Sequence, residues 1–352
     1  MTAIKLLKNN LITIIFILFI IFLIFFSSDN LTATKDGIEL WSKNVVPSLL
    51  PFFIATELLN YTDIAKILGK CLSKVMRPLF NVPGEGAYAL IMGIVSGYPV
   101  GAKIVTDLYQ KNMCTKDEAE RMLAFTNNSG PLFIIGTVGI LLFRNSTIGY
   151  LLFITHILSG ITVGILLGIY SRIRVHKRGF DDSYNKNTGN LCELSFSNLG
   201  NILSQSISKA ITTTLQIGGF VIIFSILLSI LNNLNIIDTF CNMLEKISIP
   251  HDFSKGLISG IIELTNGVKQ SANINVKNIS MYINLCAFLI GFGGLSILLQ
   301  VMGIISKTHL KIKYYFFGKI LQGLIAVIYT SVLIHSTHLF NFDLSYIIFS
   351  QI

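Results

Sequence analysis

Two stretches within residues 84–139 place polar residues, glycines and prolines where a plain membrane-spanning helix would have leucine. The first, Ser96–Lys103, reads SGYPVGAK, and the second, Thr126–Pro131, reads TNNSGP. Polar side chains and non-helical backbone at membrane depth are tolerated only where they are buried in protein or line a cavity. Interrupted helices of this kind are the best indication in a sequence of a transporter's binding site. The chemistry that these residues could perform is therefore the binding of a small polar molecule inside a membrane.

The first stretch combines a helix break with a cation. Pro99 lacks an N–H group and disfavours helix at Tyr98, while Gly97 and Gly101 permit a tight backbone turn. The free N–H groups of the half-helix that follows would attract an anion. Lys103 lies in the same element, and an ionisable residue near membrane depth is a functional candidate by default. The alternative is that Lys103 already reaches the cytoplasmic surface, with its long side chain extended to water.

The second stretch has three consecutive polar residues before a proline. Pro131 removes a hydrogen-bond donor and so frees carbonyl groups upstream. Asn127, Asn128 and Ser129 cannot all point to one side of a helix, so an unwound segment is predicted here. A polar contact between two helices is the alternative role for these side chains.

The second half of the chain has two further interruptions. Glu263 is the only carboxylate in the segment Phe253–Gln270, and it is costly in a membrane unless it is paired or protonated. It could hold a coupling ion, H⁺ or Na⁺, or it could be neutralised by Lys103 or Lys269 in a structural pair. A run of glycines, Gly291–Gly294 with one phenylalanine, interrupts the next apolar segment.

The four interruptions together supply the candidate substrate-binding residues. They are Ser96, Gly97, Tyr98, Pro99, Gly101, Lys103, Asn127, Asn128, Ser129, Glu263, Thr265, Asn266, Gly293, Gly294 and Ser296.

Composition places the chain in the lipid bilayer. Of its 352 residues 52% are hydrophobic and only 13% are charged, and the mean hydropathy is +0.67. A soluble domain has about 25% charged residues. The formal net charge of +9 does not come from one basic stripe, because the lysines and arginines form short clusters between apolar runs. That pattern is typical of cytoplasmic loops, so we expect no nucleic-acid partner.

Catalytic and metal chemistry is not indicated. The five cysteines have no CxxC spacing, and the six histidines have no HExxH or ligand spacing. The sequence has neither a Walker-type phosphate loop nor a GxSxG nucleophile elbow. We therefore expect no enzyme activity, no metal site and no cofactor, and ATP is not expected to drive the protein directly.

The apolar segments and the basic clusters predict a topology. Basic residues after Tyr170 form the strongest cluster and belong in the cytoplasm. That orientation makes Gly84–Lys103 a re-entrant hairpin from the cytoplasm and Phe253–Gln270 a re-entrant hairpin from outside. A cleaved signal peptide is the alternative for the first apolar segment. The predicted crossings are Leu11–Phe26, Val45–Tyr61, Arg121–Phe143, Tyr150–Tyr170, Ile211–Leu231, Tyr282–Ile305 and Phe316–Leu333.

These elements predict an all-α polytopic membrane protein with two inverted-topology repeats, each containing a re-entrant hairpin and a broken transmembrane helix. Such repeats place a substrate site near the midplane of the membrane, where the two units meet. The predicted division is residues 1–44 (first transmembrane helix and outer loop), 45–171 (first repeat with the following helix), 172–209 (cytoplasmic linker), 210–305 (second, inverted repeat) and 306–352 (last transmembrane helix and tail, with 348–352 outside or along the interface).

The blocks GEGAYALIMGIVSGYPVGAKIVTDLY and ERMLAFTNNSGPLFIIGTVG closely resemble the YlbJ (SpoVV) family of sporulation integral membrane proteins. The resemblance covers the chain from about Val45 to Ile305. These proteins carry nucleoside-recognition "Gate" domains related to concentrative nucleoside transporters.

The resemblance implies a secondary carrier of a small organic anion, dipicolinic acid. The carrier would export it from the mother cell of an endospore-forming bacterium across the outer forespore membrane. A nucleoside-like cargo and a non-transporting sporulation scaffold are the alternatives. The coupling ion is left open between H⁺ and Na⁺, and a homo-oligomer is also left open.

Overall fold

The structure is a computed structural model that describes residues 2–175, 198–272, 279–306 and 308–339. The centre of the predicted linker (176–197) and the tail 348–352 lie outside these residues. The described chain is helical throughout and contains no β-strand. Its helices are α1 (Thr2–Phe25), α2 (Ser27–Leu40), α3 (Val46–Leu59), α4 (Ile64–Phe80), α5 (Gly86–Ser96), α6 (Val100–Gln110), α7 (Lys116–Thr126), α8 (Ser146–Val175), α9 (Leu199–Asn233), α10 (Ile236–Glu245), α11 (His251–Ile262), α12 (Leu264–Ala272), α13 (Ile279–Phe292), α14 (Gly294–Ile305) and α15 (Lys313–Leu339), with π-helical turns at Trp41–Val45 and Leu132–Leu142.

Four helical segments of the described chain are long and apolar enough to cross a bilayer. They are Ser146–Ile173, Leu199–Asn233, Ile279–Ile305 and Lys313–Ser336. The pair Asn10–Phe25 and Ser27–Leu59 also qualifies, as one span bent by 100°. At about 1.5 Å per residue, about 20 residues suffice for a hydrocarbon core about 30 Å thick. The protein is therefore all-helical and polytopic, as predicted.

The predicted outer loop Ser27–Lys43 is wrong, because the chain is helical there. After the bend at Phe26, α2 continues through the π-helical turn into α3. The side chain of Asn30 is buried, and its Nδ2 donates to the carbonyl oxygen of Phe22 at 3.1 Å, which holds the bend. Gly37 then lets α2 lie directly on α9. The polar residues of this segment suggested a loop. The segment is instead a helix, which Asn30 and Gly37 pack against α1 and α9.

Two pairs of short helices, α5 with α6 and α11 with α12, form tight helical hairpins. In the first pair, α5 and α6, a side chain at either Gly93 or Gly101 would overlap the carbonyl oxygen of Thr126, at the end of α7. In the second pair, α11 and α12, Gly267 lies against the backbone of Gly260. Only glycine allows backbones to approach this closely. The glycines therefore fix where each hairpin meets its neighbouring helix.

Each interruption has its own backbone geometry. Gly97 (φ +84°) ends α5 and Gly293 (φ +85°) ends α13 in conformations that favour glycine. Asn127 and Glu263 are extended residues that end α7 and α11. A capping box between Thr115 and Glu118 stabilises the N-terminus of α7. The C-terminus of the same helix unwinds at Asn127.

Candidate functional site

The four helix interruptions meet at one place in the fold. A side chain at Gly97 would lie 2.9 Å from the backbone nitrogen of Gly130, so the first hairpin packs on the unwound segment after α7. A side chain at Gly294 would lie 2.9 Å from the carbonyl oxygen of Gly260, so α14 begins against the second hairpin. The hydroxyl of Tyr98 joins the two pairs by donating to the carbonyl oxygen of Ile290 at 3.0 Å.

A cavity of about 80 Å³ lies between these interruptions. The interruptions contribute Tyr98, Ser129, Gly130, Glu263, Leu264 and Thr265 to its walls. Its other walls come from the turn before α3 and from α3 itself, with Asn44 and Ser48, and from α9 and α14. Ligand pockets usually measure about 300–1,000 Å³. The cavity is therefore smaller than a ring-sized ligand requires, and its walls would have to move apart to admit one.

Glu263 is the charged group of this cavity, and its side chain is buried. Its carboxylate accepts hydrogen bonds from the backbone N–H of Thr265 at 3.1 Å and from the backbone N–H and Nδ2 of Asn266 at 2.8 and 2.9 Å. The described residues place no lysine or arginine within 4.0 Å of it. The start of α12 thus holds a carboxylate by hydrogen bonds alone.

Neither predicted neutralising lysine reaches Glu263. Lys103 forms an ion pair with Glu57, whose side chain is only 6% exposed. These two residues line a separate cleft with Pro99 and Thr213. Lys269 is exposed. The structure therefore places Lys103 beside the central cavity rather than in its wall.

The unwound segment 127–130 is held by its polar side chains. Asn127 accepts from the backbone N–H of Ala102 at 3.4 Å through Oδ1, and it donates to the hydroxyl of Tyr315 at 3.1 Å. Asn128 donates to the carbonyl oxygen of Phe125 at 2.7 Å. These bonds pin the open end of α7 to α6 and α15, and only Ser129 of the three predicted polar residues lines the cavity.

Four of the predicted site residues line the cavity directly: Tyr98, Ser129, Glu263 and Thr265. The others do not line it: Ser96, Gly97, Pro99, Gly101, Lys103, Asn127, Asn128, Asn266, Gly293, Gly294 and Ser296. Two of these residues, Ser96 and Ser296, have side chains close to a hydrogen-bond partner. The hydroxyls of Ser96 and Thr56 lie 3.3 Å apart, and the hydroxyl of Ser296 accepts from Nε2 of Gln300, a wall residue, at 3.4 Å.

A polar cluster behind the cavity was not predicted. Lys319, Gln322 and His156 are each 1% exposed or less. Gln322 Nε2 donates to Asn128 Oδ1 at 3.0 Å, and His156 Nε2 accepts from the backbone N–H of Ser129 at 3.0 Å. One signal was available in the sequence, since Lys319 interrupts the apolar run Phe316–Leu333 and an ionisable residue within a span is a functional candidate.

The described chain is thus an all-helical membrane protein with interrupted helices beside a cavity. Residues 42–172 match the family described as "Gate: Nucleoside recognition". This range runs from the turn before α3 to α8 and contains the first hairpin and the unwound segment.

The chain is also 36% identical over 315 residues to the sporulation integral membrane protein YlbJ of Bacillus subtilis (strain 168). The alignment covers 86% of this chain and 76% of that protein. The chain therefore belongs to the YlbJ family of sporulation integral membrane proteins, as its two sequence blocks predicted. No solved structure matches the chain.

Proposed function

We propose that the protein is a secondary transporter that moves a small organic anion, dipicolinic acid, out of the mother cell across the outer forespore membrane during sporulation. The observation that carries this proposal is the meeting of four helix interruptions, three of which line one cavity while the fourth packs against them. Discontinuous helices at a shared site are the usual way in which secondary transporters bind a substrate and its coupling ion.

The two halves act, in this proposal, as inverted repeats. Each half contributes one hairpin, α5–α6 or α11–α12, and one interrupted helix. The hairpins are re-entrant and enter from opposite sides. Alternating access then follows from movement of one unit against the other, which opens the closed cavity to one side at a time.

A second, larger cavity of about 1,110 Å³ supports entry of the substrate from the predicted cytoplasmic side. Its walls include Lys66, Lys70, Arg77 and Lys111, together with the carboxylates of Asp63, Glu85 and Asp107. Lys66 pairs with Asp63 and Arg77 pairs with Glu118, whereas the described residues place no carboxylate within 4.0 Å of Lys70 or Lys111.

This vestibule, as we name the larger cavity, reaches towards the first hairpin. Tyr88 forms part of its wall, and its hydroxyl lies 3.0 Å from Asn60 Oδ1 and 3.5 Å from the carbonyl oxygen of Thr56. Thr56 in turn contacts Ser96, the last residue of α5. Lys70 and Lys111, which have no carboxylate partner within 4.0 Å among the described residues, are the groups of this entrance that would contact a dicarboxylate arriving from the mother cell.

The proposal includes a coupling cation. Dipicolinate is a planar dianion, and the cavity already contains the Glu263 carboxylate, so substrate and protein repel unless positive charge enters as well. Either H⁺ on Glu263 or Na⁺ beside it would supply that charge, and the protein needs no other cofactor. The proposal includes no resident metal centre and no enzymatic role.

The direct test is uptake of labelled dipicolinate by liposomes that contain only the purified protein, with imposed H⁺ or Na⁺ gradients. The proposal predicts gradient-dependent uptake that unlabelled dipicolinate competes with and uridine does not. Uptake of labelled uridine, measured in parallel, without uptake of dipicolinate would favour the nucleoside-like cargo suggested by the family description. No uptake of either compound, with the protein folded, would favour a non-transporting scaffold.

Asn128→Ala should lower dipicolinate uptake while leaving folded protein in the membrane. The substitution removes the acceptor for Gln322 and the donor to Phe125, so the unwound segment loses one of its links to α15 and keeps the one from Asn127 to Tyr315. Loss of one buried hydrogen-bond partner costs about 1–3 kcal/mol, which a folded helical protein tolerates but a preorganised site does not. Dipicolinate content of spores, together with membrane abundance of the variant, checks this. Unchanged spore content would remove Asn128 from the working site.

The role of Lys103 has to be tested with two variants. Lys103→Ala alone would leave the buried carboxylate of Glu57 without its cationic partner. Breaking a buried pair by removing one partner costs about 3–5 kcal/mol, whereas a neutral pair is tolerated. We predict that Lys103→Met lowers the stability and that Lys103→Met with Glu57→Gln restores it. Restored stability with uptake still absent would assign Lys103 to substrate binding. Restored stability and uptake would assign the pair to the fold.

A further inference from the structure

Lys319 is a buried cation with no anionic partner among the residues that the structure describes. Its side chain is 1% exposed, and its ammonium donates one hydrogen bond, to Gln322 Oε1 at 2.7 Å. The described residues place no carboxylate within 4.0 Å of it. An ammonium has three N–H donors and no acceptor, so two of its donors face something other than the Gln322 amide.

The other neighbours of the ammonium are aromatic rings. Its nitrogen lies 5.3 Å from the centre of the Tyr98 ring and 5.8 Å from the centre of the Tyr315 ring. A cation over a ring is stabilised, but more weakly than a buried cation with a carboxylate. Two other cations of the described chain have carboxylate partners, since the half-buried Lys103 pairs with Glu57 and the buried Arg121 pairs with Asp117.

A second group in the same cluster also lacks an acceptor. His156 Nε2 accepts from the backbone N–H of Ser129, so the proton of a neutral imidazole is on Nδ1. Within the described chain, Nδ1 is buried and has no hydrogen-bond partner. The cluster therefore contains an ammonium and an imidazole N–H, both short of acceptors, and both connected to the unwound segment through Asn128 or Ser129.

The Tyr98 ring is in contact with both the central cavity and Lys319. Tyr98 forms part of the cavity wall and at the same time packs over the Lys319 ammonium. One hydrogen bond, from its hydroxyl to the carbonyl oxygen of Ile290, fixes the far end of the side chain. Because the cavity must widen to admit a ring-sized ligand, movement of Tyr98 would enlarge it and expose the ammonium in one step.

We propose that Lys319 is the residue that binds a carboxylate of the transported anion, and that the Tyr98 ring moves out from between them when the substrate enters. This inference rests on the proposed function, and it names the group that recognises the charge of the substrate. Lys319 then offsets part of the negative charge that the Glu263 carboxylate and the substrate bring to the same cavity, and the coupling cation offsets more of it.

Transport by variants that remove or keep the positive charge tests the role of the ammonium. Lys319→Gln removes the charge at similar length, Lys319→Arg keeps it, and Lys313→Gln removes a lysine from the exposed start of the same helix. We expect kcat/KM for dipicolinate to fall about 10- to 100-fold in Lys319→Gln, the effect of losing a hydrogen bond to a charged group. The fall should be smaller in Lys319→Arg and absent in Lys313→Gln. A Lys319→Gln protein that transports within twofold of the wild type would overturn the proposal.

Amine labelling of the unmodified protein provides a test that does not depend on a variant folding. Reconstituted protein is treated with acetic anhydride, and modification of Lys319 and Lys313 is read by mass spectrometry. We expect slow modification of Lys319 that isophthalate or dipicolinate suppresses and that the neutral benzene-1,3-dicarboxamide does not, with Lys313 unaffected. Lys319 that is never modified, or modified equally with every ligand, contradicts the proposal.

The two tests separate this inference from the proposed function. If the wild type does not take up dipicolinate, the proposed substrate is wrong, yet protection of Lys319 by isophthalate would still support carboxylate binding. If the wild type takes up dipicolinate and Lys319→Gln does so equally well, the function stands and the inference fails.

Discussion

Gly93→Ala will unfold the first hairpin or abolish uptake, whereas Gly303→Ala will change neither. A methyl group at Gly93 would overlap the carbonyl oxygen of Thr126, the last residue of α7. A backbone atom next to the unwound segment cannot move aside as the end of a flexible side chain can. Overpacking a core costs about 1–3 kcal/mol when side chains can adjust, so we expect at least the upper end of that range here.

Gly303 is the matched control for this substitution. No heavy atom outside its own helix backbone lies within 4 Å of a side chain built there, and it also lies within a helix, α14. Alanine is about 1 kcal/mol better than glycine in a helix interior, so Gly303→Ala should be neutral or slightly stabilising. Thermal unfolding of both variants in detergent, followed by uptake measurements, checks the pair. Equal unfolding midpoints for the two variants would show that the hairpin does not pack on Thr126 as described.

Glu263→Gln will lower gradient-driven uptake by about 100-fold, because it removes the charge on which the coupling cation acts; about 2.7 kcal/mol corresponds to that factor. Its effect on the fold should be smaller. The carboxylate accepts three hydrogen bonds from Thr265 and Asn266, and an amide replaces one of its two oxygens with a donor. At about 1–3 kcal/mol for an unsatisfied buried group, the variant stays folded but less stable.

Uptake measured with and without an imposed gradient separates these two effects. Glu263→Gln should lose the stimulation by the gradient while retaining some exchange of labelled for unlabelled dipicolinate. Glu245→Gln, at the exposed end of α10, is the control and should behave as the wild type. Normal stimulation by the gradient in Glu263→Gln would mean that Glu263 is not the coupling group.

The positions of the interruptions could be predicted because their residues are incompatible with an ordinary membrane helix. Pro99 with two nearby glycines, three polar residues before Pro131, a carboxylate at 263 and the glycines near 293 each break an apolar segment. The structure ends α5, α7, α11 and α13 at these places. Local chemistry decides where a helix stops, so local sequence is enough to find it.

What could not be predicted is set by contacts between distant residues. Lys103 pairs with Glu57 on another helix rather than with Glu263, and nothing in the spacing of these residues indicates the partner. The helix α2 was predicted as a loop from its polar residues, although Asn30 and Gly37 seat it against α1 and α9. Lys319 and Asn128 are 191 positions apart, and both hydrogen-bond to Gln322. These contacts depend on how distant helices pack together, which the local sequence does not reveal.

The central claim is that both halves of the chain form one substrate site, and paired cysteine labelling tests it most directly. Ser129→Cys and Thr265→Cys face the cavity from the two halves, and the exposed native Cys71 serves as an internal control in a background with Cys192 replaced by serine. A small water-soluble thiol reagent should modify both introduced cysteines during turnover. The same concentration of dipicolinate should protect both, with Cys71 labelled equally throughout. Protection of only one position, or labelling of neither, would contradict a site shared by the two halves.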